Sequence, residues 1–423
     1  MQTPQFLLIE GCDFTAFPIG GQLTSAMNFM RAFGDKVGLV GYSRRGEPTG
    51  RWVRKRFGGA EYWFFGVAAH RSEAGRPLIP RRLSFFLSLR KHRDAILSLG
   101  CRRVLMQAPE SLLAGRGWNW ESICYRMAGT SNALDGCRYF IGRALARVFE
   151  SQFIDRLRNV DTILASADSE SIDRFVRRAG GRIEPERIVA FPTRVDTSHF
   201  RPMPRGESRA AIGVAETALL AVTVGRIARP KGWRFLLDSF QRFQAGHSHA
   251  MLIFVGDGED RGCLEAEIGS RNLGDSAFVT GAVPRPKVAE YLNAADLVVI
   301  GSEGEGWSLA MTEALASGKP LVSTVVSGAS AMVLNGQNGF ILERRDPDEF
   351  ARAMGAALFL DRAAEVSLAL AQNYSVSTLA RDLCAAWPAL AASYAHVQVA
   401  DQVADSPTPL TDMAGADFQV GSD

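Results

Sequence analysis

The sequence predicts an α/β protein with two doubly wound domains, each a parallel β-sheet between layers of helices. Short β-branched and aromatic runs alternate with stretches of helical periodicity along most of the 423-residue chain, which is typical of repeated βα units. The length exceeds what one hydrophobic core usually supports, so two domains are expected. The hydrophobic share of 47% and the charged share of 22% are ordinary for a folded protein.

Twelve segments are predicted to form strands, six in each half of the chain. Those of the first half are residues 6–10, 37–42, 62–67, 103–107, 162–166 and 187–191. Those of the second half are residues 219–225, 250–256, 277–280, 297–300, 320–323 and 339–342. Helical periodicity separates most of these segments, so parallel pairing through crossover helices is expected.

The domain boundary is predicted in a stretch without helical period, where Pro192, Pro202 and Pro204 interrupt the chain. The predicted parts are an N-terminal domain (1–195), a C-terminal domain (206–375), a helix crossing back to the first domain (376–397) and a disordered acidic tail (398–423). Ligands of open parallel sheets bind beyond the carboxyl ends of the strands, so we expect the domains to face each other across a cleft.

The net charge of +3 conceals an asymmetry between the two halves. Residues 1–200 hold 30 Lys and Arg against 19 Asp and Glu, a balance of +11, and the remainder holds 18 against 26, or −8. The segment 71–93 combines many of these cations with apolar residues and predicts a basic amphipathic helix that can rest on an anionic membrane. The alternative is an ordinary surface helix. Nucleic acid is not an expected partner, because no recognised binding motif accompanies the charge.

Other classes of protein find little support in the sequence. The six cysteines lack close CxxC pairs, and no His/Cys cluster has zinc spacing. The glycine-rich turns do not match the dinucleotide or P-loop patterns. The N-terminal apolar stretch lacks the preceding basic residues of a signal peptide. No run approaches the eighteen apolar residues of a membrane-spanning helix, so a cytoplasmic protein is expected.

Residues 225–232, with the sequence GRIARPKG, follow an apolar strand and open a helix. Arg226 and Lys231 would stabilise a leaving nucleoside diphosphate by charge-assisted hydrogen bonds, without a metal. The alternative interpretation is a solvated basic turn before a helix.

Residues 303–320 read as loop, helix, loop and strand, with Glu305 before the predicted helix and Glu313 inside it. A carboxylate can accept two hydroxyl groups, which suits a sugar or a ribose, and the free N–H groups of Ser308 and Leu309 suit a phosphate. Alternatively, Glu305 complements the helix dipole and Glu313 is a surface residue.

These segments, in this order, resemble the retaining nucleotide-sugar glycosyltransferases of the GT-B fold, specifically glycosyltransferase family four. The resemblance covers roughly residues 190–390. It rests on the linker 191–202, the segment 225–232, the turn 255–258, the segment 291–296 and the Glu305 to Glu313 spacing.

The resemblance implies a GT-B enzyme of two Rossmann-like domains and a role for each matching residue. Catalysis would use Arg226 and Lys231 as the diphosphate-binding pair and Glu305 as the contact to the donor sugar. Glu313 would hold the nucleotide ribose, and backbone groups at Val283 would lie near the base. The remaining donor-binding positions would be Gly20, Gly21, Gly306, Trp307, Ser308 and Leu309.

The sequence departs from many relatives at two points. Trp307 and Ser308 replace a Phe-Gly pair, and no His stands at the strand end where relatives use one to touch the donor sugar. Gln107 or Glu110 is expected to replace that histidine. His70 and His92 are expected to be surface residues.

The predicted function is metal-independent transfer of a hexosyl unit, with retention, from a nucleotide diphosphate sugar that is a substrate rather than a cofactor. The predicted acceptor is a saccharide or lipid-linked saccharide in surface polysaccharide synthesis, bound mainly by the basic N-terminal half. Two alternatives remain open: a nucleotide-sugar epimerase or hydrolase of the same fold, and a catalytically silent nucleotide-sugar-binding scaffold protein.

Overall fold

The computed structural model of the protein describes residues 3–17, 20–70, 80–130, 132 and 146–394. Its contacts divide the chain into two compact units. Unit 1 is drawn from Met1–Met127, Asn132–Leu164 and the chain from Ala380 onward; unit 2 is drawn from Ala128–Ser131 and Ala165–Leu379. The domain limits expected from the sequence stay a prediction, and the expected tail, 398–423, lies outside the described residues.

The described residues form fourteen strands in two sheets. The strands are β1 Phe6–Ile9, β2 Val37–Ser43, β3 Trp52–Phe57, β4 Ala60–Ala69, β5 Arg103–Met106, β6 Ser122–Met127, β7 Thr162–Ala165, β8 Ile188–Ala190, β9 Leu219–Val224, β10 Ala250–Val255, β11 Ala277–Val279, β12 Leu297–Ile300, β13 Leu321–Thr324 and β14 Gly339–Leu342. An eight-stranded sheet has the order β3-β4-β2-β1-β5-β6-β7-β8, and a six-stranded sheet has the order β11-β10-β9-β12-β13-β14. Every pairing in the six-stranded sheet is parallel.

All twelve predicted strands are present, and two further strands were not predicted. β3 pairs antiparallel with β4 at the edge of its sheet and carries three consecutive basic residues, Arg54 to Arg56. β6 is fully buried although it contains Arg126, which is 3% exposed. Both strands therefore lack the continuous apolar run by which parallel strands are recognised.

Helices connect the strands in both units. They are α1 Gly21–Phe33, α2 Arg81–Lys91, α3 Arg93–Leu97, α4 Pro109–Ala114, α5 Ala146–Leu157, α6 Ser169–Ala179, α7 Arg205–Ile212, α8 Trp233–Gly246, α9 Arg261–Ser270, α10 Arg285–Ala294, α11 Leu309–Ala316, α12 Ala329–Met332, α13 Pro347–Ala357, α14 Ala363–Gln372, α15 Leu379–Ala386 and α16 Pro388–Tyr394. Short 3₁₀ turns span Gly34–Lys36, Pro185–Arg187, Arg229–Lys231 and Val376–Thr378. Across these ranges, no helix has both the length and the apolar character needed to cross a membrane.

The six-stranded sheet is covered on both faces. Leu220 and Val222 of β9 belong to one apolar cluster, whereas Ala221 between them belongs to the other. Val298 and its neighbour Val299 of β12 divide in the same way. Successive side chains of a strand point to opposite faces, so the sheet lies between two packed layers. Its strand ends are the places left for polar chemistry.

Candidate functional site

Two loops meet at the carboxyl ends of β9 and β12 in unit 2. The 3₁₀ turn Arg229–Lys231 lies in the first loop and ends at Gly232, whose φ is +68°. A Cβ on Gly232 would lie 1.8 Å from the carbonyl oxygen of Gly301, and the Glu303 N–H donates to the Pro230 carbonyl at 2.8 Å. Glycine therefore permits both the left-handed backbone and the close approach of the two loops.

Lys231 and Glu305 form an ion pair across these loops. Lys231 Nζ lies 2.6 Å from Glu305 Oε1, and the Ser302 hydroxyl donates to the same oxygen at 2.7 Å. Ser302 is itself held by the Thr324 hydroxyl, which donates to its carbonyl at 2.7 Å. Among the described residues, Lys231 and Ser302 both contact Oε1 of Glu305. Oε2 is therefore the oxygen that can accept a hydrogen bond from a ligand.

Arg226 lies at the same strand end but is not held as closely. Its side chain is 62% exposed, and Nη1 is 3.8 Å from Glu259 Oε1. An exposed guanidinium at this distance keeps the rotamer freedom to turn toward an anion. The structure thus brings Lys231 into contact with Glu305 and leaves Arg226 at the edge of the site.

Glu313 lies inside α11, and its side chain is 4% exposed. Burial raises the pKa of its carboxyl group, and the Arg285 guanidinium lowers it, with Arg285 Nη2 2.9 Å from Glu313 Oε1. Arg285 Cζ also lies 4.9 Å from the centre of the Phe200 ring. Val283, in the loop just before α10, is partly buried and packs against the core.

The remaining predicted donor contacts precede α11. Ser308 is the N-cap residue and Leu309 the first helical residue, and the Ser308 side chain makes no capping hydrogen bond, so the first N–H groups of α11 are free of a side-chain cap. The Trp307 ring packs on Gly328, where a Cβ would come within 2.6 Å of it, and on Tyr374 at 5.4 Å between ring centres. Gly306 links Trp307 to Glu305.

In unit 1, Gly20 and Gly21 mark the start of α1. Gly20 is the N-cap residue with φ +154°, and Gly21 is the first helical residue. A Cβ on either would meet nothing within 4 Å. Backbone conformation at Gly20, rather than crowding, is the local reason for glycine here.

Gln107 and Glu110 do not present their side chains at the surface. Gln107 is 1% exposed and Glu110 is 9% exposed. Gln107 Oε1 accepts from the Ser25 hydroxyl at 2.8 Å and from Arg126 Nη1 at 3.0 Å. Gln107 therefore belongs to a buried polar cluster of unit 1, together with Ser25 and Arg126.

His70 and His92, expected to be surface residues, are both partly buried. His70 stacks on Phe17 at 4.3 Å between ring centres, and its Nε2 lies 3.3 Å from Asp13 Oδ2. His92 is half-buried with its ring 5.7 Å from that of Phe65. Aromatic partners distant in sequence bury these rings.

Two residues of the site were not predicted. Ser302 lies two residues after the end of β12, and a hydroxyl close to a strand end was the available signal. Arg285 begins α10, two residues after Val283, and only the folded chain shows that it reaches Glu313.

Comparison with known proteins shows which family this part of the chain resembles. Residues 204–368 match the family model described as "Glycosyl transferases group 1". A D-inositol 3-phosphate glycosyltransferase of Catenulispora acidiphila is 29% identical over 214 residues, which are 47% of this chain and 49% of that protein. The chain thus spans about half the length of this relative.

Solved structures show the same fold over nearly the whole chain. Sucrose-phosphate synthase from Thermosynechococcus elongatus matches with a TM-score of 0.73 and 18% identity, over 93% of this chain and all of that one. Anabaena HepE in complex with UDP-glucose matches with a TM-score of 0.66 and 17% identity, over 93% and 99%. The two parallel-sheet, Rossmann-like units and these likenesses show the GT-B fold. Residues 204–368 are thus similar to the glycosyl transferases group 1 family.

Proposed function

We propose that this protein is a retaining glycosyltransferase of family four that transfers a hexosyl unit from a nucleoside diphosphate sugar to a hydroxyl acceptor, without a divalent metal. The observation that carries the proposal is the 2.6 Å contact between Lys231 and Glu305 beside the uncapped start of α11. A cation, a carboxylate and free backbone N–H groups suit a ligand that joins a diphosphate to a polyol. The UDP-glucose complex of HepE supports the same donor class, and the name of the relative supports glycosyl transfer.

The charges of the site suit departure of a diphosphate. As the bond between the anomeric carbon and the phosphate oxygen breaks, negative charge grows on the diphosphate, and Lys231 and Arg226 stabilise it. Glu305 Oε2 accepts a hydrogen bond from a hydroxyl group of the donor sugar, and Glu313 accepts hydrogen bonds from the ribose hydroxyl groups. In the described part of the chain, no group of three or more His, Cys, Asp or Glu could hold a metal ion.

Retention requires the new bond to form on the face that the diphosphate leaves. The acceptor oxygen attacks the anomeric carbon from that face, and the acceptor proton passes to the departing phosphate oxygen. This step needs no protein nucleophile. It depends instead on groups that hold the diphosphate in place, which is the role given to Lys231 and Arg226.

For the acceptor we propose a saccharide or lipid-linked saccharide in surface polysaccharide synthesis, reached in the cytoplasm at the inner face of the membrane. The exposed side of α2 supports this choice. Leu83 and Leu87 are 48% and 51% exposed one helical turn apart, and Arg82, Arg90 and Lys91 are exposed on the same helix. Phe85 and Leu89 face the core instead, so α2 has apolar residues on two sides. Residues 71–79 of the predicted basic segment lie outside the described residues.

A second candidate acceptor is a small phosphorylated polyol. The names of two similar proteins favour it, because both D-inositol 3-phosphate glycosyltransferase and sucrose-phosphate synthase name a phosphorylated compound. The +11 balance of residues 1–200 would attract an anionic acceptor of either kind.

A melting screen with UDP-, GDP- and ADP-sugars tests donor binding, because a ligand that binds only the folded state raises the melting temperature. The shift should appear with one nucleotide class in the wild type and be lost in Lys231→Met.

A transfer assay follows with the donor selected by this screen. Radiolabelled sugar from that donor should pass to a lipid-linked oligosaccharide or to inositol 3-phosphate. Free sugar or an epimer formed at the full rate without acceptor would show a hydrolase or epimerase instead. Binding without any turnover would show a scaffold protein.

A further inference from the structure

Burial and an ion pair with Arg285 act in opposite directions on the Glu313 carboxyl group, and burial, the larger effect, raises its pKa. This carboxyl group is almost fully buried, and burial favours the neutral acid. A neutral carboxyl group donates one hydrogen bond and loses acceptor capacity, whereas a carboxylate accepts at both oxygens. The two hydroxyl groups of a ribose are best met by the carboxylate.

Arg285 supplies the opposing charge. It acts on the Glu313 carboxyl group by direct attraction and by a hydrogen bond, and both effects lower the pKa of that group. Its guanidinium is 2.9 Å from Oε1 and lies over the ring of Phe200, which is fully buried. A planar cation held between a ring and a carboxylate has little freedom to move away.

We propose that Arg285 is a positioning residue, which favours the carboxylate form of Glu313 through their 2.9 Å contact and fixes its orientation so that the carboxylate binds the ribose of the nucleotide. The contact with Arg285 uses Oε1 and leaves Oε2 to accept a ribose hydroxyl. This inference rests on the proposed function, since it assumes that Glu313 meets a ribonucleotide. It adds a residue from a different element, α10, to the binding of the donor.

A purely structural ion pair would behave differently. It would change the stability of unit 2 and weaken every nucleotide to the same extent. A positioning role instead predicts that the loss depends on the ribose hydroxyls and on pH. These two dependences separate the interpretations.

The experiment measures dissociation constants of whichever of UDP, GDP or ADP is selected by the melting screen, together with its 2′,3′-dideoxy counterpart. Wild type, Arg285→Met and Arg285→Lys are compared between pH 6 and 9.

Arg285→Met should bind the ribonucleotide about tenfold more weakly, as expected for a lost charge-assisted interaction. Its affinity for the dideoxy nucleotide should be almost unchanged. The affinity of Arg285→Met for the ribonucleotide should recover as pH rises, because Glu313 then loses its proton even without Arg285 beside it. Arg285→Lys should retain most of the affinity, and Arg234→Met, an exposed arginine paired with Glu267, serves as the control.

The proposal would be overturned if Arg285→Met lost the same affinity for both nucleotides, or if its loss of affinity for the ribonucleotide did not change with pH. Failure of the proposed function would look different, because the wild type itself would then bind no nucleoside diphosphate. Wild-type binding that prefers the ribonucleotide, with the same preference in Arg285→Met, would reject the role of Arg285 alone.

Discussion

Lys231 Nζ lies 2.6 Å from Glu305 Oε1, so a cation from the loop after β9 and an anion from the loop after β12 neutralise each other at one end of the sheet of unit 2. Each group orients the other. A donor that carries both a diphosphate and sugar hydroxyls offers each of them a new partner. The pair therefore links recognition of the two halves of the proposed donor.

Replacing either partner should weaken transfer. We expect Lys231→Met and Glu305→Gln each to lower kcat about 100-fold, near the lower end of what a lost transition-state contact costs, about 3 kcal/mol. The free-energy cost of the double substitution should be smaller than the sum of the two single costs, because the two residues are in contact. Steady-state kinetics with the selected donor provide the measurement, and Lys287→Met is the matched control. Additive losses would show that the two residues act independently.

Gly232→Ala tests the turn that presents Lys231. The substitution forces a side chain into a left-handed backbone and places its Cβ 1.8 Å from the Gly301 carbonyl oxygen, so the two loops must separate. We expect a loss of stability of about 2 kcal/mol or more and weaker donor binding. Gly246→Ala is the control, since its Cβ would meet nothing within 4 Å. Chemical denaturation and the donor-induced melting shift measure the two effects; equal behaviour of both variants would contradict the account.

Glu10, just after β1 in unit 1, should make stability depend on pH. Burial, assisted by the charge of Glu110, raises its pKa from 4.5 to about 8. Between these values the folded chain binds a proton that the unfolded chain has released, so this contribution to stability falls as pH rises from 4.5 to 8. Glu10→Gln should therefore melt above the wild type at pH 8.5, with a smaller difference at pH 5. Exposed Glu61→Gln is the control, and parallel melting curves for wild type and Glu10→Gln across this range would refute the assignment.

Much of the fold could be predicted from the sequence because strands buried on both faces are continuous apolar runs. β9 and β12 are of this kind, and their predicted bounds agree with the structure to within one residue. β3 and β6 were missed because one is a basic edge strand and the other buries Arg126. In both cases the tertiary surroundings, rather than local pattern, decide the conformation.

The candidate residues of the site could be named from the sequence, but their contacts could not. Lys231 and Glu305 stand out in their segments, yet their ion pair joins residues 74 apart. Arg285 gave no local signal, because its significance depends on the burial of Glu313. Likewise, the burial of Gln107 and of His70 depends on partners from other elements.

The exposed leucines of α2 test the proposed membrane contact. We expect the protein to float with vesicles that contain phosphatidylglycerol, less so at high salt, because Arg and Lys contribute electrostatic attraction. Leu83→Glu combined with Leu87→Glu should lower binding at least tenfold, since each buried leucine contributes about 1.5 to 3 kcal/mol. Phe359→Glu, at a residue of unit 2 that is 81% exposed, is the matched control. Equal flotation of both variants would remove α2 from the contact.

The most direct test of the central claim is the affinity for the selected nucleoside diphosphate, measured by calorimetry in EDTA and again with magnesium. If side chains bear the diphosphate charge, wild-type affinity should be the same within about twofold in both buffers, and Lys231→Met should be at least tenfold weaker in both. If EDTA abolished wild-type binding and magnesium restored it, while Lys231→Met bound as well as the wild type, a metal ion rather than Lys231 would carry that charge.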